Sequence, residues 1–375
     1  MLERIEAALK VLLTIALILF LISLTGVIRP TFELARAWQT PLGPKLELPT
    51  QTPAPNNVPD TTITQTRPQT QAINACGSVD QMTILAIGAD TRGDNYMYGL
   101  ADVIRIVRVD FVNGKISVLE FPRDLWVEIP EISDHYGITH EKLNQAYLYG
   151  NPGFGYYKGA DQGPGLLAKT LQLNFGLEVE HYVAVNMHTF ERMIDAVGGI
   201  DVYLPHAVDA RQPDQKERRD LVFAQGDHHL AGKEALMLAR IRIGGVFDRA
   251  SNQNIILCGL RQKLLSPRII TKIPNLIDTF DGAIQTDFSP EELSQFACLA
   301  PSIGAEDITF YSFPEEIFTG TRVYDKIFDS NVFVWNADYN VMRMYVQAFI
   351  NDTWQIPYVE ASTPPPSELK GFACP

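Results

Sequence analysis

The chain has 375 residues, of which 46% are hydrophobic and 20% charged, and a formal net charge of −13 at pH 7. That balance excludes a nucleic-acid partner, because a polyphosphate surface is met by a basic face. Length alone allows two domains, but roughly 75 N-terminal residues are unsuited to a core, which leaves one domain of about 280.

Residues 1–10 carry Arg4 and Lys10 and are expected to be the cytoplasmic end. The uncharged, Leu- and Ile-rich run 11–28 is long enough to cross a bilayer as a helix. Ser23-Leu24-Thr25 is a poor cleavage site, so the run reads as an uncleaved single-pass anchor in the cell membrane, with the rest of the chain outside the cytoplasm. Most of 29–75 is Thr, Pro, Gln and Asn, which bury too little apolar surface to order themselves, so this stretch reads as a spacer. A folded domain is expected over 76–358, followed by a Pro-rich tail, 359–375. No internal repeat of solenoid length is present.

Four cysteines, Cys76, Cys258, Cys298 and Cys374, show no zinc-type spacing. Outside the cytoplasm disulfides are permitted. Cys76 and Cys374 bracket the domain and are placed to staple its ends, while Cys258 and Cys298 lie on expected helices and either pair or stay free. Spacing does not fix the connectivity.

Ile84-Leu85-Ala86-Ile87 reads as a short buried strand that leaves into a polar turn bearing Asp90 and Arg92. Asp102 opens a second apolar run to Val109, the Asn113-Gly114 pair signals a hairpin, and Ile116–Leu119 returns. Asp90, Asp102 and Arg123 of Phe121-Pro122-Arg123-Asp124 therefore meet at one sheet edge. Each alone reads equally well as a turn or corner residue; together they suggest a polyphosphate site. Arg105 and Arg108 point to opposite faces of their strand and read as structural or surface groups.

Leu167, Leu171 and Phe175 recur at helical spacing before Gly176, and Tyr182–Val185 reads as a strand. Phe190, Met193, Ile194 and Val197 form the next helix face, stopped by Gly198-Gly199, after which Ile200–Leu204 is expected to return to the sheet. Ser289-Pro290-Glu291-Glu292 starts a helix through Cys298, and Tyr339–Phe349 forms the last. Such alternation defines a layered α/β domain.

The run Gly226–Leu236 leads into Leu238–Ile243, read here as extended. A strand puts Arg240 and Arg242 on one face, where like charges repel unless an anion lies between them. A diphosphate satisfies that, since arginine forks match phosphate oxygens. Asp248-Arg249 follows. His228-His229 splays its rings apart and reads as a turn or surface pair rather than a metal site. Lys142-Leu143-Asn144-Gln145-Ala146-Tyr147 is placed to line the cleft. The chain lacks a nucleophile elbow, a phosphate-binding loop of the Walker type and a His-Glu-x-x-His motif.

In this order, Ile87–Arg92, Ala101–Ile104, Glu120–Asp124, Lys142–Tyr147, Ile194–Val202, Gly226–Leu236 and Arg240–Arg242 with Asp248-Arg249 resemble the LytR-CpsA-Psr family of membrane-anchored cell-wall proteins. The resemblance implies a three-layer α/β/α sandwich with a mixed central sheet and a deep apolar groove for a polyprenyl chain. It implies transfer of a glycopolymer from a polyprenyl diphosphate carrier to peptidoglycan, aided by Mg2+ or Mn2+. Asp90 and Asp102 match the family's acidic pair near the metal, and Arg123, Arg240, Arg242 and Arg249 its diphosphate-binding arginines; the residue reading adds Arg92 to that set. Asp90, Asp102, Arg123 and Arg242 are the expected catalytic group. The sequence departs from the pattern at Leu100, where the family carries arginine, at Ala101 for serine, and at Asn252 for another arginine. Each missing cation weakens diphosphate binding by about 1.5–3 kcal/mol. A hydrolase using water as acceptor and a carrier-binding regulatory protein without turnover are the alternatives.

Overall fold

The computed structural model describes residues 42–47, 76, 79–91, 96–132, 135, 137–211, 214–241, 246–264, 283–354 and 372–374. The expected anchor 11–28 lies outside the described residues, as do most of the spacer and tail. No helix among the described residues is long and apolar enough to cross a membrane.

Strand β1 (Gln81–Ala89) and the longer β2 (Ala101–Asp110) pair antiparallel, and β2 turns back into β3 (Lys115–Glu120). The hairpin is set by Asp110, whose carboxylate accepts from the backbone N–H groups of Val112 and Asn113 at 3.0 and 2.8 Å, while Gly114 takes φ 64°. Next come the short β4 (Trp126–Glu128) and β5 (His140–Lys142), then α1 (Leu143–Gly150) and α2 (Gln162–Phe175). Gly176 closes α2 at φ 66°, as its place at the C-cap requires. The chain continues through β6 (His181–Asn186), α3 (Met187–Ala196), β7 (Ile200–Leu204), the short pair β8 (Val208–Asp209) and β9 (Val222–Phe223), β10 (Gly226–Leu230), α4 (Gly232–Arg240) and α5 (Val246–Leu264). It ends with β11 (Ile284–Thr286), α6 (Pro290–Leu299), β12 (Ile308–Ser312), the hairpin β13 (Phe318–Asp325) and β14 (Ser330–Ala337), α7 (Tyr339–Ile350) and β15 (Phe372–Ala373).

The main sheet has seven strands in the order β11-β6-β1-β2-β3-β12-β15. It is mixed: β1 runs parallel to β6, and β3 to β12, with the other pairs antiparallel. Period-two alternation gives the sheet two apolar faces. Leu85, Ile87, Ile104, Ile106 and Leu119 join Leu143, Ala146, Leu167 and Leu171 of α1 and α2 in the largest cluster. Met82, Ile84, Val109 and Val118 face Cys258 of α5 and Leu299 of α6. Helices on both faces make the expected three layers, and each fully buried aliphatic side chain stabilises them by about 1.5–3 kcal/mol.

Three expectations are corrected. Strand β7 does not return to the main sheet; it pairs with β10 alone. Gly198 and Gly199 turn the chain with φ 82° and 79°, and β7 then lies on α5, where a Cβ at Gly259 would stand 2.8 Å from the Asp201 carbonyl. The cysteines pair as Cys76–Cys298 and Cys258–Cys374, so each helical cysteine ties down one end of the domain rather than the two ends joining each other. Part of the spacer is packed: Leu46 lies against the main core, and the Glu47 N–H donates to the buried Asp161 carboxylate at 3.3 Å. One leucine in the segment 42–47 supplies the apolar contact that its Thr- and Pro-rich flanks lack.

Candidate functional site

The C-terminal ends of β1 and β3 and the start of β2 lie at the same end of the sheet. There the β1–β2 register shifts: Gly88 faces Val103 and Ala89 faces Ala101, so Asp102 is the extra residue of a bulge. A bulge breaks the ladder and re-aims a side chain, and bulges cluster at functional edges. Gly88 is required beside it, because a Cβ there would meet the Val103 side chain at 2.8 Å. Asp90 follows Ala89 directly, and its N–H donates to the Leu100 carbonyl at 2.8 Å. The two aspartates thus leave neighbouring strands at one level. Tyr98 and Thr91 close the intervening loop, with the Thr91 hydroxyl donating to the Tyr98 carbonyl at 2.5 Å.

Arg123 reaches this end from the loop after β3, and its Nη1 forms an ion pair with Asp102 Oδ1. Its Nε bonds Asp124 Oδ2 at 3.2 Å, and Lys142 Nζ approaches Asp124 Oδ1 at 3.2 Å. The loop is fixed by the first turn of α1: the N–H groups of Leu143 and Asn144 donate to the carbonyls of Leu125 and Arg123 at 2.8 and 3.0 Å, satisfying helix donors that otherwise lack partners. From the other face of the sheet, α5 sends Arg249, 4% exposed, whose Nη2 donates to the Asp102 carbonyl at 3.0 Å. Asp102 is therefore held at both its carboxylate and its backbone.

Arg240 is placed differently from the expectation. Residues 238–240 are helical, not extended, and Arg240 is the exposed last residue of α4. Ala235 and Leu238 bury one helix face and Glu234 accepts from the Ala231 N–H at 3.0 Å, which start and seat the helix. The same-strand geometry of Arg240 and Arg242 is thereby lost. Arg92 and Arg242 lie outside the described residues, as does the Asp248 side chain. Arg105 and Arg108 are both buried, not on the surface. Arg105 binds Glu120 at 2.8 Å and Asn254 of α5 at 2.7 Å. His228 and His229 splay as expected, to the Ala224 carbonyl and to Asp201. Asn252 lies buried on α5, 8% exposed.

Sequence reasoning missed Glu141, the residue before Lys142. It is 2% exposed, and burial, then the neighbouring Asp325 carboxylate, push its carboxyl up to about 7. Its only signal was an acid at an otherwise buried β-strand position. No group of three or more His, Cys, Asp or Glu poised for a metal ion occurs among the described residues. Asp90 and Asp102 fit a cation of the Mg2+ kind in donor chemistry, since Mg2+ is held by one or two carboxylates plus water and substrate phosphates.

Fold and site together define a three-layer α/β protein that gathers arginines around two carboxylates at one sheet end. The LytR_cpsA_psr family model matches residues 55–345, and the chain belongs to that family. The regulatory protein MsrR of Staphylococcus aureus (strain COL) is 28% identical over 249 residues, 64% of this chain and 68% of its own length. An Oceanobacillus iheyensis protein named polyisoprenyl-teichoic acid–peptidoglycan teichoic acid transferase TagU is 30% identical over 217 residues, 57% of this chain and 61% of its own. The crystal structure of B. subtilis TagV superposes with a TM-score of 0.54 at 24% identity, covering 72% of this chain and 98% of that one, a likeness of fold.

Proposed function

We propose that the protein is a membrane-anchored phosphotransferase that moves a glycopolymer from a polyprenyl diphosphate carrier to peptidoglycan. The observation that carries this reading is the clamp on Asp102, gripped by Arg123 from the loop after β3 and by Arg249 from α5. The transferase name of the TagU relative supports it. The anchor is the apolar run 11–28, which sets the domain outside the cytoplasm.

In this reading Arg123 and Arg249 bind diphosphate oxygens, with Lys142 at the rim and Arg92 and Arg242 completing the set. Asp90 accepts the proton of a peptidoglycan hydroxyl as its oxygen attacks the phosphorus attached to the glycan. The bond to that phosphorus from the bridging oxygen breaks, polyprenyl phosphate leaves, and the glycan is joined to its acceptor through a phosphodiester. Mg2+ would be held by Asp102 together with water and substrate oxygens, leaving Asp90 free as the base, and when bound it supplies charge neutralisation on the diphosphate. Positioning and electrostatics, not a covalent intermediate, then lower the barrier.

The test is incubation of detergent-purified protein with carrier-linked glycan, Mg2+ and soluble peptidoglycan oligomers. Phosphodiester-linked product is expected from the wild type and not from Asp102→Asn or Arg123→Ala. Release of glycan phosphate to water establishes the hydrolase instead. A second reading, a regulatory protein that holds the carrier without turnover, is favoured by the MsrR relative's name and by Asn252 standing where the family carries arginine; bound carrier unchanged in the presence of acceptor establishes it.

A further inference from the structure

The hairpin β13–β14 carries an aromatic face that the chemistry above does not use. Its register sets Gly320 opposite Trp335, Arg322 opposite Phe333 and Tyr324 opposite Asn331, and residues directly opposite share a face. Tyr324 is 57% exposed and Phe333 41%. The rings of Phe333 and Trp335 stand 4.9 Å apart, edge to face. Both lie over the bare backbone of Gly320, where a Cβ would come within 2.9 Å of Phe333 and 3.3 Å of Trp335. Arg322 Nη1 donates to the Asn331 carbonyl at 3.1 Å, which holds the guanidinium beside the rings.

This face is continuous with the candidate site. The Trp335 backbone N–H donates to the Asp124 carbonyl at 2.9 Å, and Leu125 bridges Trp335 in parallel. Asp124 is the partner of Arg123. Two residues back along β14 from Trp335, about 7 Å, stands Phe333.

We propose that the Arg322, Tyr324, Phe333 and Trp335 face of the hairpin binds the glycan strand of the acceptor and feeds its hydroxyl to the site beside Arg123; this rests on the transferase reading. A sugar ring has an apolar C–H face and a polar rim, which suits an exposed aromatic ring flanked by guanidinium and amide groups. A membrane fits less well. At the hairpin tip the exposed Phe328 adjoins Asp329, whose carboxylate repels anionic headgroups.

The experiment titrates soluble peptidoglycan oligomers into the full-length protein in detergent, following tryptophan fluorescence and calorimetry. Phe333→Ala and Tyr324→Ala are each expected to weaken binding roughly tenfold and to raise the acceptor KM, while Phe333→Tyr, which keeps the ring, restores both. Asp102→Asn is expected to bind oligomers as the wild type does. Wild-type affinity and KM in both alanine variants overturn the inference even where transfer is observed, leaving the transferase reading intact. Ring-dependent oligomer binding by a wild type that transfers nothing sinks the transferase reading but keeps a glycan-binding face. Ring-dependent binding to phosphatidylglycerol vesicles, with none to oligomers, assigns the face to a membrane and overturns the proposal.

Discussion

Arg105 on β2 and Glu120 on β3 form an ion pair at 2.8 Å in the interior, 3% and 9% exposed, and the same guanidinium binds Asn254 and Gln253 of α5. Helix α5 is the one that delivers Arg249 to the Asp102 carbonyl. The pair therefore couples the seating of a whole helix to the geometry of the site from the opposite side of the sheet.

Removing one partner leaves an uncompensated buried charge. Arg105→Ala is expected to cost about 3–5 kcal/mol in urea denaturation, and Arg105→Met with Glu120→Leu to recover most of it. The double variant should still lose activity, because Asn254 and Gln253 no longer hold α5 in register. Full activity in a stable double variant would show that Arg249 is positioned without the pair.

Glu141 sets a pH dependence. Its carboxyl titrates at about 7 in the fold against 4.5 for the ordinary group, so the unfolded chain gives up this proton first. Folded stability is unaffected below about pH 4.5, falls as pH rises toward 7, and then levels at a deficit of about 3 kcal/mol. Glu141→Gln removes the charge and is expected to be the more stable protein at pH 8, with the difference shrinking at pH 4.5. Equal unfolding midpoints at both pH values would refute the assignment.

His181 acts in the opposite sense. Burial draws its pKa down, but the hydrogen bond and charge of Asp287, then Glu292 and Glu180, outweigh that, and the net shift is upward. A raised folded pKa means that its contribution is complete below the unfolded value near 6.5 and is lost as pH rises through the folded one. His181→Asn should cost more at pH 5.5 than at pH 9, read as the change in thermal midpoint at each pH.

The two disulfides close sequence separations of 222 and 116 residues. Long loops give the largest entropic effect, about 5 kcal/mol each in the chain-entropy model. Cys258→Ser with Cys374→Ser is expected to lower the thermal midpoint, at about 2–4 °C per kcal/mol, and reductant should do the same to the wild type but not further to a variant lacking all four cysteines.

Helices α1 and α2 touch through glycine: a Cβ at Gly150 would lie 2.6 Å from Gly163 Cα and 2.7 Å from the Gln162 carbonyl. Backbone cannot yield as a side chain does, so Gly150→Ala is expected to destabilise by about 1–3 kcal/mol, checked by chemical denaturation. A neutral result would mean that the helices separate freely.

Much of this architecture was legible because its signals are local. Ser289 and Glu292 form the capping box at α6, and Gly176 closes α2. At the site, the strand–hairpin pattern allowed Asp90, Asp102 and Arg123 one end of the sheet, and there Arg123 pairs with Asp102 while Asp90 follows the neighbouring β1. Leu238–Arg240 misled because an Arg-x-Arg alternation reads as a strand, while the burial of Ala235 and Leu238 one helical turn apart depends on the partners α3 and α5 supply. The hairpin β13–β14 went unseen because its turn holds no Gly or Asn; Asp329 takes φ 47° instead. The bulge at Asp102 has no sequence signal at all, since it is a mismatch between two strands and not a property of either.

The placement of Cys76 has a mechanical consequence. A pull on the chain from its N-terminal side that frees the packed residues 42–47 next meets Cys76 and passes across the disulfide to Cys298 in α6. Load is thereby diverted before it reaches Gln81, where β1 begins between β2 and β6. Peeling that strand would dismantle the ladder carrying Asp90 and Asp102 one bond at a time; with the staple in place, force must shear the layer as a whole. A domain held from its N-terminal side can thus be tugged without its site opening.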